Sequence, residues 1–209
     1  MTQRLDYTAI APAGIKALGS VYGYILQSGL PRLLVNLVYL RTSQINGCAY
    51  CIDMHSRDLI KEGLAVEKLV LVQAWREAGG LFDTRERAAL AWAETVTRVA
   101  DTAVPDADFQ AASAVFSEKE LADLTIAIGL MNAYNRLAIG FRVPPKAALS
   151  EQQDQIVANK TTWTHGEDLP RVSRRQQAQE PLNRRFNVMS DDAREGADDA
   201  EPRPERQRR

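Results

Sequence analysis

Ile45-Asn46-Gly47-Cys48-Ala49-Tyr50-Cys51-Ile52-Asp53-Met54-His55-Ser56 holds both cysteines of this 209-residue chain and one of its two histidines. Asn46-Gly47 is a turn signal. The spacing therefore predicts a helix from about Cys48 to Glu62, closed by Gly63 as its C′ residue. At about 100° per residue, Cys48, Cys51 and His55 fall within an arc of roughly 60°. Two thiols and one proton acceptor then share a helix face. A cysteine in a first helical turn meets unpaired backbone N–H groups and the positive end of the macrodipole, both of which favour thiolate over thiol.

Working outward, every neighbouring stretch also has helical periodicity. Ile15, Leu18, Val21, Tyr22, Ile25 and Leu26 recur at three- and four-residue spacing after Pro12, and Gly29 and Pro31 supply a stop. Leu33, Leu34, Leu37, Val38 and Leu40 predict a second helix from Pro31, apolar on more than one side and so buried. Val66–Ala78 reads as one further helix with Leu69, Val70, Val72, Ala74 and Trp75 inside, ended by Gly79-Gly80. Asp83 with Glu86 has capping-box spacing and predicts a helix to about Ala100, with Ala88, Ala89, Trp92, Val96 and Val99 inward. Pro105 opens a short helix carrying Phe109, Ala112 and Phe116. Ser117 with Glu120 repeats the capping box ahead of Leu121, Leu124, Ile128, Met131 and Leu137, with a break expected near Asn132. No segment alternates with period two. The fold class is all-α, a helical bundle spanning residues 1–148.

Residues 149–209 have a different character. Between 151 and 209 there are 11 Lys/Arg and 12 Asp/Glu, and Trp163 and Phe186 are the only aromatic residues. Such a segment cannot bury enough apolar surface to offset its ordering entropy. It is expected to be a charged, mostly disordered tail. Its Arg174-Arg175 and Arg184-Arg185 pairs are nearly neutralised by nearby acids, so a solvated tail is favoured over a nucleic-acid or acidic-partner site.

The whole chain carries a formal net charge of −1 and 45% hydrophobic residues, a globular balance without the basic excess of a nucleic-acid surface. Neither a signal peptide nor a membrane span is expected, since the longest apolar run, Leu33–Leu40, falls far short of about 20 residues. Two cysteines three apart exclude a disulfide-stapled scaffold. A reducing cytoplasm is the expected compartment.

Three chemistries compete for the Cys-Cys-His motif. A structural zinc needs four ligands, and the remaining histidine, His165, lies in the tail; no metal and no cofactor are expected. Two semi-buried cysteines beside a capping histidine could also be purely structural. Dithiol redox chemistry uses all three groups at once. A thiol of pKa about 8.5 is only a few per cent thiolate at neutral pH, and lowering it to about 7 raises that fraction more than tenfold. A sulfenic acid formed by a peroxide would meet a second thiol within reach, and an external reductant would reopen the disulfide.

Arg41-x-Ser43-Gln44-Ile45-Asn46-Gly47-Cys48-x-Tyr50-Cys51-x-x-x-His55 resembles the signature of the AhpD-like branch of the carboxymuconolactone decarboxylase family. Ala74–Glu77, Arg85–Glu94 and Asn132–Leu137 resemble that branch too, so the likeness covers roughly residues 5 to 147. The resemblance implies an AhpD-like helical bundle assembling as a homo-trimer or homo-hexamer. It also implies a peroxide-reducing, antioxidant dithiol activity on an organic hydroperoxide or hydrogen peroxide, with an external, lipoyl-type dithiol as reductant. By position it makes Cys51 the peroxidatic cysteine, Cys48 the resolving cysteine and His55 the base. The alkylhydroperoxidase pattern has a histidine where this chain has Tyr50, and a relay glutamate where it has Asn36. Glu94 is the candidate for that missing carboxylate, its plainer role being an i,i+4 pair with Arg98; Tyr50 is a candidate hydrogen-bond donor near the peroxide. A non-catalytic redox sensor or binding module is the alternative function. Muconolactone decarboxylation, the family's other activity, does not depend on a Cys-x-x-Cys pair.

Overall fold

The structure is a computed structural model that describes residues 2–149; the tail expected over 149–209 lies, but for its first residue, outside the described residues. Among these residues nine α-helices follow one another as far as Phe141, and 146–149 are helical again: α1 (Tyr7–Ile10), α2 (Pro12–Leu26), α3 (Arg32–Asn46), α4 (Ala49–Lys61), α5 (Val66–Val70), α6 (Thr84–Thr97), α7 (Val99–Thr102), α8 (Asp106–Ser113) and α9 (Glu118–Phe141). No strand occurs among them, as the lack of period-two alternation predicts.

The centre of the bundle is α3. It packs against α4, α6 and α9, and residues Leu34 to Leu40 are all buried, together with Thr42 and Ser43. Leu37 and Leu40 form a core with Leu59 of α4, Leu90 of α6, and Leu64, Val72, Trp75 and Phe82 from the intervening segments. Each such side chain contributes about 1.5–3 kcal/mol on full burial. Both capping boxes form as the sequence predicts. Asp83 accepts the Glu86 N–H while Glu86 accepts the Asp83 N–H, and Ser117 and Glu120 do the same at the start of α9.

Four expectations need correction. The helix expected over Val66–Ala78 stops at Val70; short 3-10 turns at Val72–Ala74 and Gly79–Leu81 follow. This irregular path turns Val72 and Trp75 into the core while Val70 faces outward. The break expected near Asn132 is absent, because α9 is continuous. The Asn132 amide donates to the Ile128 carbonyl one turn back, so its polarity is absorbed within the helix. Helix α6 ends at Thr97 instead of Ala100, and Val99, expected inside, is more than half exposed. Helix α2, despite its apolar periodicity, buries only Ile25.

Candidate active site

The dithiol is made by the abrupt joint between α3 and α4. Gly47 ends α3 in the left-handed region at φ 70°, where a side chain would be strained. Its N–H and that of Cys48 return to the carbonyls of Gln44 and Ser43. One residue later the chain is helical again, with Cys48 as N-cap of α4. A thiol in that position takes the role usually filled by Ser or Asp: the Cys48 sulfur accepts the Cys51 backbone N–H at 3.4 Å. The two sulfurs are 2.6 Å apart, and both cysteines are 1% exposed.

Charge is shared unequally within this pair. The Cys48 thiol is held below its ordinary pKa, first by the hydrogen bond from Cys51 and further by the Cys51 and Tyr50 backbone and by Asn135, against the opposing effect of burial. Cys51 is pushed up, by the hydrogen bond to Cys48, by burial and by the negative charge on Cys48. Of the two thiols, Cys48 at the positive end of α4 is therefore the readier to ionise and Cys51 the more strongly held to its proton.

His55 lies one turn beyond Cys51 on α4, 3% exposed. Its ring packs 5.1 Å from that of Tyr39. Neither ring nitrogen has a hydrogen-bond partner among the described residues. Burial lowers its pKa to about 3, so the imidazole is neutral at neutral pH, with both nitrogens uncommitted. The hydroxyls of Tyr39 and Tyr134 are likewise buried without a partner. Tyr50, next to Cys51 in sequence, has its pKa raised by burial and by the charges of Tyr7 and both cysteines, which places it beside the dithiol. Tyr7 of α1 is pushed up to about 12 by burial and then by Cys51, Tyr134 and Cys48. Among the described residues, no group of three His, Cys, Asp or Glu side chains is arranged to hold a metal ion.

Glu94, the candidate relay carboxylate, is bound elsewhere. It accepts from Arg41 at 2.7 and 2.8 Å, from Trp75 Nε1 at 2.9 Å and from Arg76 at 2.7 Å. Burial alone would raise its pKa, but these donors outweigh it and hold the carboxyl below the usual range. Its ion pairs run to Arg41 and Arg76, whereas the sequence suggested Arg98. Arg98 instead helps to line an open cleft of about 340 Å³ with Arg41, Trp75, Arg76 and Glu94. Asn36, where the family pattern has its glutamate, donates to Glu62 at 2.9 Å, and Arg32 binds the same carboxylate.

A polar network under the sulfurs was not foreseen as part of the site. Asn135 of α9 is fully buried near the dithiol, where it lowers the pKa of both thiols. Its amide also donates to Ser43 Oγ at 3.1 Å and accepts from Asn46 at 2.8 Å. The signal was available. Asn135 continues the Leu124, Ile128, Met131 core spacing, and a polar residue on an apolar stripe needs a buried partner.

Residues 12–95 match the model of the carboxymuconolactone decarboxylase family. An uncharacterised protein of Bacillus subtilis, YdfG, is 35% identical over 139 residues, covering 66% of this chain and 94% of that one. A crystal structure of an Agrobacterium tumefaciens protein of unknown function, proposed to be the antioxidant defence protein AhpD, is 38% identical with a TM-score of 0.67. It covers 69% of this chain and 98% of that chain. A peroxidase-related protein from Ralstonia eutropha with an alkylhydroperoxidase AhpD core shares the fold at 22% identity and TM-score 0.59, covering 66% and 73%.

Proposed function

The chain belongs to the carboxymuconolactone decarboxylase family, in its AhpD-like branch, and on that premise we propose that it is a thiol-dependent hydroperoxide reductase. The family holds peroxidase-related and decarboxylating enzymes, and the sulfur pair supports the peroxidase reading. The observation that carries the proposal is the 2.6 Å contact between Cys48 and Cys51 at a helix start, with an unpartnered neutral imidazole one turn on.

The chemistry balances with these groups alone. His55 takes the proton from the Cys51 thiol, and the Cys51 sulfur attacks the distal oxygen of ROOH. The O–O bond breaks, and the alkoxide leaves as ROH with the proton from His55. Cys51 is now a sulfenic acid. The Cys48 sulfur then attacks the Cys51 sulfur; the S–S bond forms, and hydroxide departs as water with the proton of the Cys48 thiol. In sum, one dithiol and ROOH give one disulfide, ROH and H₂O. A lipoyl-type dithiol then restores the thiols by exchange. Because both sulfurs are buried, substrate and reductant enter through a local opening of the site.

Self-association into a homo-trimer or homo-hexamer is part of the proposal, supported by α2, whose Ile15, Leu18, Val21 and Tyr22 are only half-buried within one chain and whose Tyr24 and Leu26 are exposed. Among the described residues no helix is long and apolar enough to cross a membrane, and a reducing cytoplasm suits a dithiol that cycles.

Steady-state consumption of an organic hydroperoxide with a lipoyl-type dithiol tests the function. Cys51→Ser is expected to abolish turnover with helical content unchanged. Cys48→Ser is expected to accumulate a sulfenic acid that dimedone traps. Cys51→Ser turning over at the parental rate would end the assignment. Slow stoichiometric oxidation of the parent, without turnover, would favour a redox sensor instead.

A further inference from the structure

We propose that Glu62 is a positioning residue for His55: its carboxylate, held in place by Asn36, balances the charge of the imidazole while His55 carries the Cys51 proton. The inference rests on the dithiol reading proposed above, and it assigns to that site a carboxylate from beyond the Cys-x-x-Cys-x-x-x-His motif.

A group of buried polar atoms at the contact of α3 and α4 leads to it. Among the described residues, both nitrogens of His55, the hydroxyl of Tyr39 and Oε2 of Glu62 are buried without a hydrogen-bond partner. Tyr39 is fully buried and His55 nearly so. Single atoms of this kind are uncommon in a folded chain, and several together mark a catalytic role or a bound water.

The two helices bring these atoms into one seam. Glu62 follows His55 by seven residues, and two helical turns return it to within about 20° of the same face. Helical side chains lean toward the N-terminus, so that of Glu62, at the C-cap of α4, leans back toward His55. On α3, Tyr39 lies against His55 with ring centroids 5.1 Å apart. Asn36, one turn earlier on α3, donates its Nδ2 to Glu62 Oε1 at 2.9 Å. Leu59, fully buried beside them on α4, helps to keep bulk water out.

The two oxygens of Glu62 are used unequally. Oε1 accepts from Asn36 and from Arg32, both at 2.9 Å. Oε2 is turned inward and left over. Held this way, the carboxylate keeps one oxygen in reserve on the side of the seam.

That reserve matters only when His55 is charged. At rest the imidazole is neutral and burial governs it. Once it takes the Cys51 proton, a buried cation needs a counter-charge or hydrogen-bond acceptors. One water between Glu62 Oε2, the Tyr39 hydroxyl and an imidazole N–H has the three partners that a buried water takes. Glu62 itself exchanges no proton; the proton stays on His55 until it leaves with the alkoxide. The same link fixes which ring nitrogen carries the hydrogen at rest, and so leaves the other to accept from Cys51.

Hydroperoxide turnover by the full chain, with kcat and KM separated, tests this. Glu62→Gln keeps the shape and an acceptor for Asn36 but removes the charge, and kcat is expected to fall about tenfold at unchanged KM. Arg32→Gln, which removes the exposed partner of the ion pair, is expected to keep the parental kcat. Exchanging the pair, Asn36→Glu with Glu62→Gln, moves the carboxylate to α3 and reverses the hydrogen bond; most of the lost rate is expected to return. That exchange decides the matter if Glu62→Gln folds poorly, and a folded exchange variant without turnover then overturns the proposal. A second readout does not use turnover: the ring-nitrogen NMR signals of His55, read beside those of His165, the one other histidine of the chain. The parent is expected to show a single neutral tautomer, and Glu62→Gln a mixture. A parent that turns over while Glu62→Gln matches it in kcat and tautomer overturns the role of Glu62 alone. An Arg32→Gln variant that loses as much as Glu62→Gln does the same, because the ion pair would then be what matters. A parent without turnover overturns the redox function and this inference together.

Discussion

Two buried polar clusters flank α3, and they treat hydrogen-bonding capacity in opposite ways. Around Glu94 it is fully used: one carboxylate receives Arg41, Trp75 and Arg76, and Arg41 and Glu94 are both nearly enclosed, at 13% and 14% side-chain exposure. Around the dithiol, capacity is held back. His55 leaves both nitrogens unpartnered, and Tyr39 and Tyr134 leave their hydroxyls so. A satisfied cluster ties α3 and α6 to the Trp75 segment, whereas an unsatisfied one costs stability and keeps groups available for chemistry. The difference separates a structural carboxylate from a reactive imidazole, although both residues were site candidates in the sequence.

Exchanging the two kinds of residue sharpens the contrast. His55→Leu removes the proton acceptor, and peroxide turnover is expected to fall about a thousandfold. Its urea-unfolding free energy at neutral pH should stay within about 1 kcal/mol of the parent, since the lost nitrogens had no partners. Glu94→Gln keeps the shape and leaves two arginines without their counter-charge; a loss of about 3 kcal/mol is expected in the same measurement. If the histidine variant proved the less stable of the two, the contrast would collapse.

The pH dependence of stability should divide along the same line. His55 has a folded pKa of about 3, against about 6.5 when unfolded. Between those values the unfolded chain binds a proton that the folded chain refuses. Stability therefore rises with pH across this window, by up to about 1.4 kcal/mol per pH unit, and the contribution is complete above it. Denaturation midpoints measured through that range should lose this slope in His55→Leu and keep it in Glu94→Gln. The smallest effect concerns the start of α6, the helix that carries Glu94. Asp83→Ala removes half of a capping box and should cost about 1 kcal/mol, read from the thermal midpoint, with thiol chemistry unchanged.

Much of the bundle was legible because its signals are local. Cys48 as N-cap, Gly63 just beyond the end of α4, and the two capping boxes each depend on residues within one turn. The segment after Val70 was not legible, because apolar spacing alone does not distinguish a helix from irregular chain that delivers Val72 and Trp75 to the same core. Nor was the exposure of α2, since an apolar stripe states a need for burial and not what provides it. At the site, Cys48, Cys51 and His55 were found from spacing. Asn135 was not, because its partners Ser43 and Asn46 lie more than eighty residues away in the chain.

Sequence by itself determined the all-helical class, the turn at Gly47 and the placing of two thiols and an imidazole on one helix face, all consequences of backbone geometry over a few residues. Tertiary structure alone decided what surrounds that face. Packing α9 against α3 joins the Asn135 amide to Ser43 and Asn46, and packing α4 against α3 closes Tyr39 over His55. Packing α6 against α3 commits Glu94 to Arg41. The physical reason is burial: desolvation and long-range hydrogen bonds set which group holds a proton, and neither exists until distant helices meet.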